Sequence, residues 1–405
     1  MCSADEDSNG HKPMRVLHLA GEYPPFRIGG IATYLENLVR HLYPDVISTV
    51  HVMLGTDYQS DPPSHLSIGP AAVEYGRLAS LPAILAKSVI TLSEIRALVE
   101  LPMPPTGDFD LVHAHDWYGV LGAILQRNQQ HIPMVMTSHL PLRYGFTYSN
   151  HPIDLQVKMR LESLGFRVAD RILAPSVFVK SILTAEYHVP PTKVHVIHNG
   201  VDYDAFSPEH AERSPESNSA TLLTVGRLTE QKGLDHLLRI FRLVYRRLPD
   251  CRLLIAGDGP YRSDLMTLCR EAGLAGATTM LGYVPHAELP GLYQMADVFV
   301  TTSVFEPFGM TTLEAMACAT PVVASSLGGA REFVRDGLDG FLRPPQDHPQ
   351  FASAILRLLR DKSLRRAMGA RARRQAEAFG WRQMTNRVLS AYRDAVSGLP
   401  SQDLD

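Results

Sequence analysis

The chain has 405 residues, which is longer than one ordinary domain and predicts two. Hydrophobic residues make up 45%, charged residues 20%, and the formal net charge is −3, which excludes a strongly basic nucleic-acid-binding protein. No apolar run approaches the roughly 18 residues of a membrane span. The four cysteines lack disulfide or metal-site spacing, which favours a cytoplasmic location. The polar residues 1–13 lack a signal-peptide core and predict a disordered tail.

The first half of the chain alternates short apolar runs with segments of helical periodicity. The run 15–20 leads into a Gly- and Pro-containing turn, and a helix is predicted to begin after Gly29 and Gly30. Further strands are predicted at 48–54, 111–115, 133–137, 171–174 and 194–197, further helices at 81–99, 120–129, 154–168 and 177–187, and loops at 56–77 and 140–151. This alternation predicts a parallel sheet with helices on both faces, which binds ligands at the carboxyl ends of its strands.

The second half repeats the pattern after a polar segment. Residues 206–220 are rich in Ser, Glu and Pro and predict a linker. Strands are then predicted at 221–225, 252–256, 279–284, 298–300 and 321–324, with a strongly amphipathic helix after the first of them. The predicted fold is α/β: two doubly wound domains, 14–205 and 221–380, that face each other across a cleft.

One stretch of the second half combines groups suited to a phosphorylated, hydroxyl-rich ligand. The strand at 298–300 leads into a turn that contains Glu306, and a helix that contains Glu314 follows. The free amides at the start of this helix form an anion site, and they belong to Gly309, Met310 and Thr311. Carboxylates bind hydroxyl pairs and amides bind phosphates. A helix cap beside a surface glutamate is the alternative interpretation.

Two cations follow the first strand of the second half. Arg227 and Lys232 lie five positions apart in a turn flanked by Gly226 and Gly233. An arginine binds phosphate oxygens in pairs, so this turn predicts a site for a diphosphate. Two exposed surface cations are the alternative.

The sequence predicts no metal site. Asp108 and Asp110 form a D-x-D pattern, but they precede their strand and lie at the wrong edge of the sheet, so we expect a turn. His113 and His115 alternate along one strand and share a face, yet two histidines without a third ligand are weak evidence for a metal. His139, in a loop at the ligand-binding edge, is a candidate ligand contact or a structural histidine.

The last helical segment is basic. Its cations are Arg357, Arg360, Lys362, Arg365, Arg366, Arg371, Arg373 and Arg374. A solvated basic helix is the favoured interpretation, and contact with an anionic membrane surface is the alternative.

In combination, these motifs resemble the GT-B glycosyltransferases of family 4. This large retaining family includes glycogen-synthase-like and phosphatidylinositol-mannosyltransferase-like enzymes. The motifs are Gly29-Gly30, Asn199-Gly200-Val201-Asp202 with Phe206, Gly226-Arg227-Leu228 with Lys232-Gly233, Gly257-Asp258-Gly259-Pro260, and Glu306-Pro307-Phe308-Gly309 with Glu314. His113-Ala114-His115-Asp116-Trp117 is similar to the glycogen-synthase branch. The resemblance implies two Rossmann-like domains and a final helix, within 381–405, that crosses back to the first domain.

The resemblance also implies a role for each site residue. The residues implied in catalysis are Arg227 and Lys232 at the diphosphate, Glu306 at the sugar hydroxyls, and His139 near the 6-position of the donor sugar. The implied donor-binding residues are Gly29, Gly30, Gly226, Tyr283 and Val284 at the base, Phe308, Gly309, Met310, Thr311, and Glu314 at the ribose. The acceptor side is assigned to His115, Asp116, Arg143 and Tyr144.

The expected activity is transfer of a hexose, glucose or N-acetylglucosamine, from a nucleotide diphosphate sugar, with UDP as the favoured carrier. The acceptor is a hydroxyl of a specialised metabolite, glucan or lipid, and no cofactor is required. The sequence offers no second carboxylate placed as a nucleophile, which favours front-face substitution. A nucleotide-sugar 2-epimerase and a non-catalytic nucleotide-sugar-binding protein remain the alternatives.

Overall fold

The computed structural model describes residues 12–24, 30–54, 65–68, 71–77, 107–143, 152–208 and 219–398. The chain divides into two compact units. The N-terminal unit comprises residues 1–197 together with 384–405, and the C-terminal unit comprises residues 198–383. Gly29, Tyr144 and the helix predicted at 81–99 lie outside the described residues.

The N-terminal unit is built on a mostly parallel sheet. Its strands are β1 (Met14–Ala20), β2 (Val46–Leu54), β3 (His65–Ile68), β4 (Ala71–Arg77), β5 (Leu111–His115), β6 (Met134–Thr137), β7 (Arg171–Ala174) and β8 (Val194–Val196). Its helices are α1 (Gly30–Leu42), α2 (Val120–Gln130), α3 (Pro152–Val168) and α4 (Val177–Glu186). In the described part of the chain the strand order is β3-β4-β2-β1-β5-β6-β7-β8.

The parallel sheet predicted for this unit is confirmed, with one correction at its edge. The segment 56–77 was expected to be a loop, but β3 and β4 lie within it, and β3 pairs antiparallel to β4. The prolines and serines around these strands are typical of loops, and the strands form by pairing, β4 with β2 and β3 with β4. The local amino-acid composition therefore does not predict β3 and β4.

The C-terminal unit contains a second, fully parallel sheet. Its strands are β9 (Thr221–Val225), β10 (Arg252–Ala256), β11 (Thr278–Gly282), β12 (Val298–Thr301), β13 (Val322–Ser325) and β14 (Gly340–Arg343). Its helices are α5 (Leu234–Tyr245), α6 (Arg262–Glu271), α7 (Leu289–Met295), α8 (Met310–Ala317), α9 (His348–Arg360) and α10 (Lys362–Ala376). The strand order among described residues is β11-β10-β9-β12-β13-β14.

Apolar periodicity positions the helices of this second sheet. Helix α5 buries one continuous stripe formed by Leu234, Leu237, Leu238, Ile240, Phe241 and Val244. This stripe packs on buried strand residues such as Leu253 and Val300. Because both faces of a parallel sheet are covered, its inner strands β12 and β13 are buried along their whole length, and polar ligand-binding groups are left to the loops at the strand ends.

The final helix, α11 (Trp381–Ser397), supplies Tyr392 to the N-terminal unit. The Tyr392 hydroxyl lies 2.6 Å from Nδ1 of His113 on β5. The ring is fully buried, so this end of the chain forms part of the core beneath the first sheet.

The basic segment is partly used for internal structure. Arg365 pairs with Asp297 at 3.1 Å, and Arg373 donates to the carbonyls of Phe206 at 3.0 Å and Ala317 at 2.8 Å. These two cations therefore join α10 to neighbouring segments of its own unit. Within the described ranges, no helix combines the length and apolar character needed to cross a membrane.

Candidate functional site

Two neighbouring strands of the C-terminal unit bring a cation and a carboxylate together. Sheet order reverses between β9 and β12, and such a switch point opens a crevice at the carboxyl ends of the strands. Lys232 follows β9 and Glu306 follows β12, and Lys232 Nζ lies 2.8 Å from Glu306 Oε2. The two side chains are 20% and 13% exposed, so the pair is held within a recess but remains reachable.

Short polar contacts hold this pair in place. Ser303 donates to the same carboxylate oxygen of Glu306 at 3.0 Å. The Thr302 hydroxyl donates to the carbonyl of Gly233 at 2.9 Å, and the amide of Val304 donates to the carbonyl of Gln231 at 2.9 Å. The loop after β12 is therefore bonded directly to the loop after β9, and the carboxylate is preorganised opposite the ammonium group.

A glycine packs against the backbone of Glu306. Gly328, which follows β13, has φ of +115°, and an added Cβ would lie 2.2 Å from the carbonyl oxygen of Glu306. The next amide, of Gly329, donates to that same carbonyl at 2.9 Å. The turn thus requires glycine for its left-handed backbone and for the close approach.

We expect Gly328→Ala to lower the free energy of unfolding of the C-terminal unit by about 3 kcal/mol, because backbone strain and a steric clash combine. The matched control is Gly337→Ala: this glycine has φ of +75° with open space around its Cβ position. Strain alone should cost about 1 kcal/mol there. Denaturant unfolding measures both changes, and equal losses in the two variants would contradict the packing argument.

Helix α8 begins beside this pair. Its N-cap is Gly309, with φ of +108°, and the first amide that bonds back to Gly309 is that of Thr312, at 3.0 Å. The amides of Met310 and Thr311 precede it and so lie at the positive end of the helix. Phe308, which is predicted at the donor, has a buried side chain that packs on Phe333.

Glu314 on α8 is a buried carboxylate with two partners. Its Oε1 lies 3.0 Å from Nε2 of His286, and its Oε2 accepts from the Tyr293 hydroxyl at 2.8 Å. Each carboxylate oxygen can accept a further bond, so the contacts orient the group without exhausting it. His286 is 38% exposed, whereas Glu314 is 5% exposed. The sequence interpretation missed both partners, since neither belongs to a motif.

The other donor residues predicted in the C-terminal unit lie at the same sheet edge. Tyr283 and Val284 directly follow β11; the Tyr283 side chain is 68% exposed and Val284 packs at the core margin. Gly226 follows β9 with φ of +152°, and the half-buried Arg227 comes directly after it. All of these positions follow the carboxyl ends of parallel strands.

A second group of polar residues occupies the N-terminal unit. His18 on β1 is the register partner of His113 on β5, and His115 is two residues further along. Ligand-capable atoms of these three buried histidines lie within 4.8 Å of one another. The sequence interpretation recognised only two of them, because the pairing of β1 with β5 supplies the third.

The histidines are already bonded to neighbours. His113 lies 2.6 Å from the Tyr392 hydroxyl and 2.7 Å from that of Thr137, so both of its nitrogens have partners. His115 is fully buried and lies 3.3 Å from His18 and 3.2 Å from His139. The assignment of His115 to the acceptor side stays a prediction, and its ring contacts that of His139.

Burial controls protonation in this group. Burial lowers the pKa of His18 and of His139 to about 3. Burial, followed by the charges of neighbouring histidines, lowers the pKa of His113 and of His115 well below the ordinary value. All four rings are therefore neutral at physiological pH.

Two predicted acceptor-side residues support the loop that carries His139. Asp116, after β5, has φ of 53° and accepts from the amide of His139 at 2.7 Å. Burial raises the pKa of Asp116 to about 7. Arg143 donates to the carbonyl of Glu186 at 2.7 Å and lies over the Tyr187 ring.

Gly30 and Glu162 complete this edge. Gly30 begins α1, and its Cβ position has open space around it among the described residues. The carboxylate of Glu162 accepts from the amide of Leu142 and from the Tyr187 hydroxyl. Burial raises the pKa of Glu162 to about 8.

We expect the N-terminal unit to lose stability as the pH falls from about 6.5 to 5. In this range the histidines are protonated in the unfolded state but stay neutral when buried in the folded state. Asp116 and Glu162 have the opposite effect. The folded state keeps their carboxyl groups protonated up to about pH 7 to 8. Their contribution to the free energy of unfolding therefore declines as the pH rises. Near pH 5.5 the four histidines gain protons on unfolding and the two carboxyl groups lose theirs. The net uptake on unfolding is therefore about one to two protons.

Denaturant unfolding at several pH values measures this slope. Glu162→Gln should steepen it, because the substitution removes one opposing group while the amide keeps a hydrogen-bonding side chain. An unfolding free energy that stays constant between pH 7 and pH 5 would contradict the assignment of neutral buried histidines.

Comparison with known proteins finds two family profiles in the chain. "Glycosyl transferases group 1" matches residues 206–375, and "Glycosyltransferase Family 4" matches residues 28–205. The glycogen synthase of Mycobacterium tuberculosis is 30% identical over 401 residues, covering 95% of this chain and 96% of that protein. The D-inositol 3-phosphate glycosyltransferase of Thermobispora bispora is 30% identical over 395 residues, covering 91% and 90%.

Solved structures of similar fold cover nearly the whole chain. The sucrose-phosphate synthase of Thermosynechococcus elongatus superposes with a TM-score of 0.80 at 23% identity, covering 95% of this chain and 100% of that one. Anabaena Alr3699/HepE in complex with UDP-glucose superposes with a TM-score of 0.70 at 21% identity, covering 93% and 100%. These likenesses confirm the predicted fold of two Rossmann-like domains.

Proposed function

Because the chain belongs to the family 4, group 1 glycosyltransferases, we propose that it transfers glucose from UDP-glucose, with retention of configuration, to a hydroxyl group of an acceptor. It is a transferase that uses a nucleotide sugar. The choice of UDP and glucose is supported by the ligand named for the HepE structure and by the glycogen synthase relative. N-acetylglucosamine is the second candidate sugar.

The observation that carries the proposal is the Lys232–Glu306 pair at the switch point of the second sheet. In the proposal, Lys232 and Arg227 bind the diphosphate together with the amides at the start of α8. Glu306 binds hydroxyls of the sugar, and Glu314 accepts hydrogen bonds from the ribose. Fixed positive groups directed at a leaving phosphate stabilise the charge that develops as the glycosidic bond breaks.

The proposed reaction is a front-face substitution. The acceptor oxygen forms a bond to the anomeric carbon on the face from which the phosphate oxygen departs. The electron pair of the broken bond stays on UDP, and the acceptor proton passes to the departing phosphate oxygen. Lys232 and Arg227 stabilise the negative charge that develops on the departing diphosphate. The proposed reaction therefore uses no cofactor.

The acceptor is proposed to bind the N-terminal unit. In the proposal, Asp116 and the loop whose His139 amide it binds recognise acceptor hydroxyls, and the His139 ring contacts the donor sugar. The two relatives differ in acceptor by name, one being a glycogen synthase and one an inositol-phosphate glycosyltransferase. A glucan and D-inositol 3-phosphate are therefore the first acceptors to compare.

The test is a matrix of UDP-, ADP- and GDP-glucose and UDP-N-acetylglucosamine against these acceptors, with and without EDTA. Proton NMR of the product reads the anomeric configuration directly. We expect an α-linked product from UDP-glucose that forms equally well in EDTA. A β-linked product would contradict retention, and release of UDP with a 2-epimerised sugar and no acceptor would indicate the epimerase instead.

A further inference from the structure

A continuous row of ring nitrogens connects the interior of the N-terminal unit to His139. The Ser48 hydroxyl lies 3.2 Å from Nε2 of His18, and Nδ1 of His18 lies 3.3 Å from Nε2 of His115. Nδ1 of His115 then lies 3.2 Å from Nε2 of His139. We call these three rings and the serine the histidine row. Each junction occupies one nitrogen per ring and leaves Nδ1 of His139 at the outer end.

The rings of the row are fixed in orientation. The planes of the His115 and His139 rings are only 17° apart, and their centroids are 5.5 Å apart. The edge of Tyr34 packs on His139 with a centroid distance of 4.6 Å. His18 and His115 are fully buried, so water does not compete for their nitrogens. Each ring is neutral and therefore carries one N–H and one bare nitrogen.

Neutral rings in this order can share protons in only two ways. If His115 carries its proton on Nδ1, it donates to Nε2 of His139 and accepts at Nε2 from Nδ1–H of His18. If His115 carries its proton on Nε2, it donates to His18, and His139 must donate from Nε2. In both cases all three rings carry the proton on the same nitrogen, because two facing N–H groups or two facing lone pairs would be unsatisfied when buried.

We propose that His115, backed by His18, is a positioning residue that decides whether His139 presents an N–H or a lone pair at Nδ1. This proposal rests on the proposed function, in which His139 contacts the donor sugar near its 6-hydroxyl. A sugar hydroxyl both donates and accepts, so the tautomer that the three rings share determines which of its two bonding modes His139 meets. His115 and His18 thereby contribute to recognition of the sugar without touching it.

His18, His113 and His115 have the spacing of a metal site, but their hydrogen bonds favour the row. Both nitrogens of His113 contact hydroxyls, at 2.6 and 2.7 Å, so a metal at this ring would displace one of them. The inner nitrogens of His18 and His115 face each other. Zinc binding is therefore an outcome that the experiment must distinguish.

Nitrogen NMR of the full-length protein labelled with 15N-histidine tests the row without any ligand. Protonated and bare ring nitrogens have separate chemical shifts. We expect His18, His115 and His139 to carry one proton each, on the same nitrogen in all three. Adjacent rings with opposite tautomers, a doubly protonated ring at pH 7, or stoichiometric zinc binding that moves the signals of His18, His113 and His115 together would overturn the proposal.

Substrate discrimination supplies the functional arm. The measured quantity is kcat/KM for UDP-glucose divided by kcat/KM for UDP-6-deoxyglucose. We expect His115→Leu to lower this ratio as far as His139→Ala does, by on the order of tenfold relative to the wild type, which corresponds to the loss of one hydrogen bond. His115→Asn keeps a polar group facing His139 and should restore part of the ratio. An unchanged ratio in His115→Leu would overturn the positioning role. If UDP-glucose is not a donor at all, the proposed function fails, while the tautomer result still stands or falls by itself.

Discussion

Lys232→Ala is expected to reduce kcat for sugar transfer by about 100- to 1,000-fold, because the leaving diphosphate loses a fixed positive charge in the transition state. The substitution also leaves the Glu306 carboxylate without this cation, while the Ser303 hydroxyl still donates to it at 3.0 Å. Steady-state kinetics with a saturating acceptor measure the change. Since the amides at the start of α8 still bind phosphate, the loss should be larger in kcat than in donor KM.

The matched control is Lys362→Ala, in which an exposed lysine at the start of α10 is removed from the same unit. Its kcat should stay within about twofold, since exposed charges contribute little. Lys232→Arg keeps the charge but not the shape of the group and should recover only part of the activity. Transfer by Lys232→Ala at more than a third of the normal rate would rule out the assigned role.

Glu314→Gln is expected to weaken binding of UDP by about 10- to 100-fold, because hydrogen bonds to a charged acceptor contribute more than those to an amide. The amide also places an N–H group where the Tyr293 hydroxyl and the ribose both need an acceptor. Isothermal titration calorimetry with UDP measures the dissociation constant. The effect should be much smaller for pyrophosphate, which has no ribose.

Tyr293→Phe separates the orientation of the carboxylate from its charge. The variant removes the bond of 2.8 Å to Oε2 but keeps the carboxylate and its contact with His286. We expect only about a threefold loss of affinity for UDP, equivalent to less than 1 kcal/mol. A larger loss in Tyr293→Phe than in Glu314→Gln would show that packing, and not ribose binding, determines affinity.

The sequence predicted those features that depend on local pattern. The amphipathic stripe of α5 and the strand–turn–helix arrangement around Glu306 follow from spacing and from glycine and proline positions. The proximity of Lys232 and Glu306 follows from a further rule, since both come after parallel strands that meet at one sheet edge. The proximity of these two residues could therefore be predicted although they lie 74 positions apart in the chain.

Other features depend on tertiary pairing and could not be predicted. His18 lies beside the other histidines only because β1 pairs with β5. His286 contacts Glu314 although the two residues are 28 positions apart and His286 belongs to no motif. The ring of Phe308 belongs to the core, although the motif that contains it indicated a ligand contact. Side-chain direction in a turn is decided by packing, and sequence spacing does not determine it.

The most direct test of the central claim is calorimetric titration of uridine, UMP, UDP and UDP-glucose into the wild-type protein, Lys232→Ala and Glu314→Gln. We expect UDP to bind the wild type more tightly than UMP, Lys232→Ala to remove most of this difference, and Glu314→Gln to weaken the binding of every ligand that contains ribose. If no uridine nucleotide binds the wild type at millimolar concentration, or if both variants bind UDP as the wild type does, the assignment of the donor site to this crevice is contradicted.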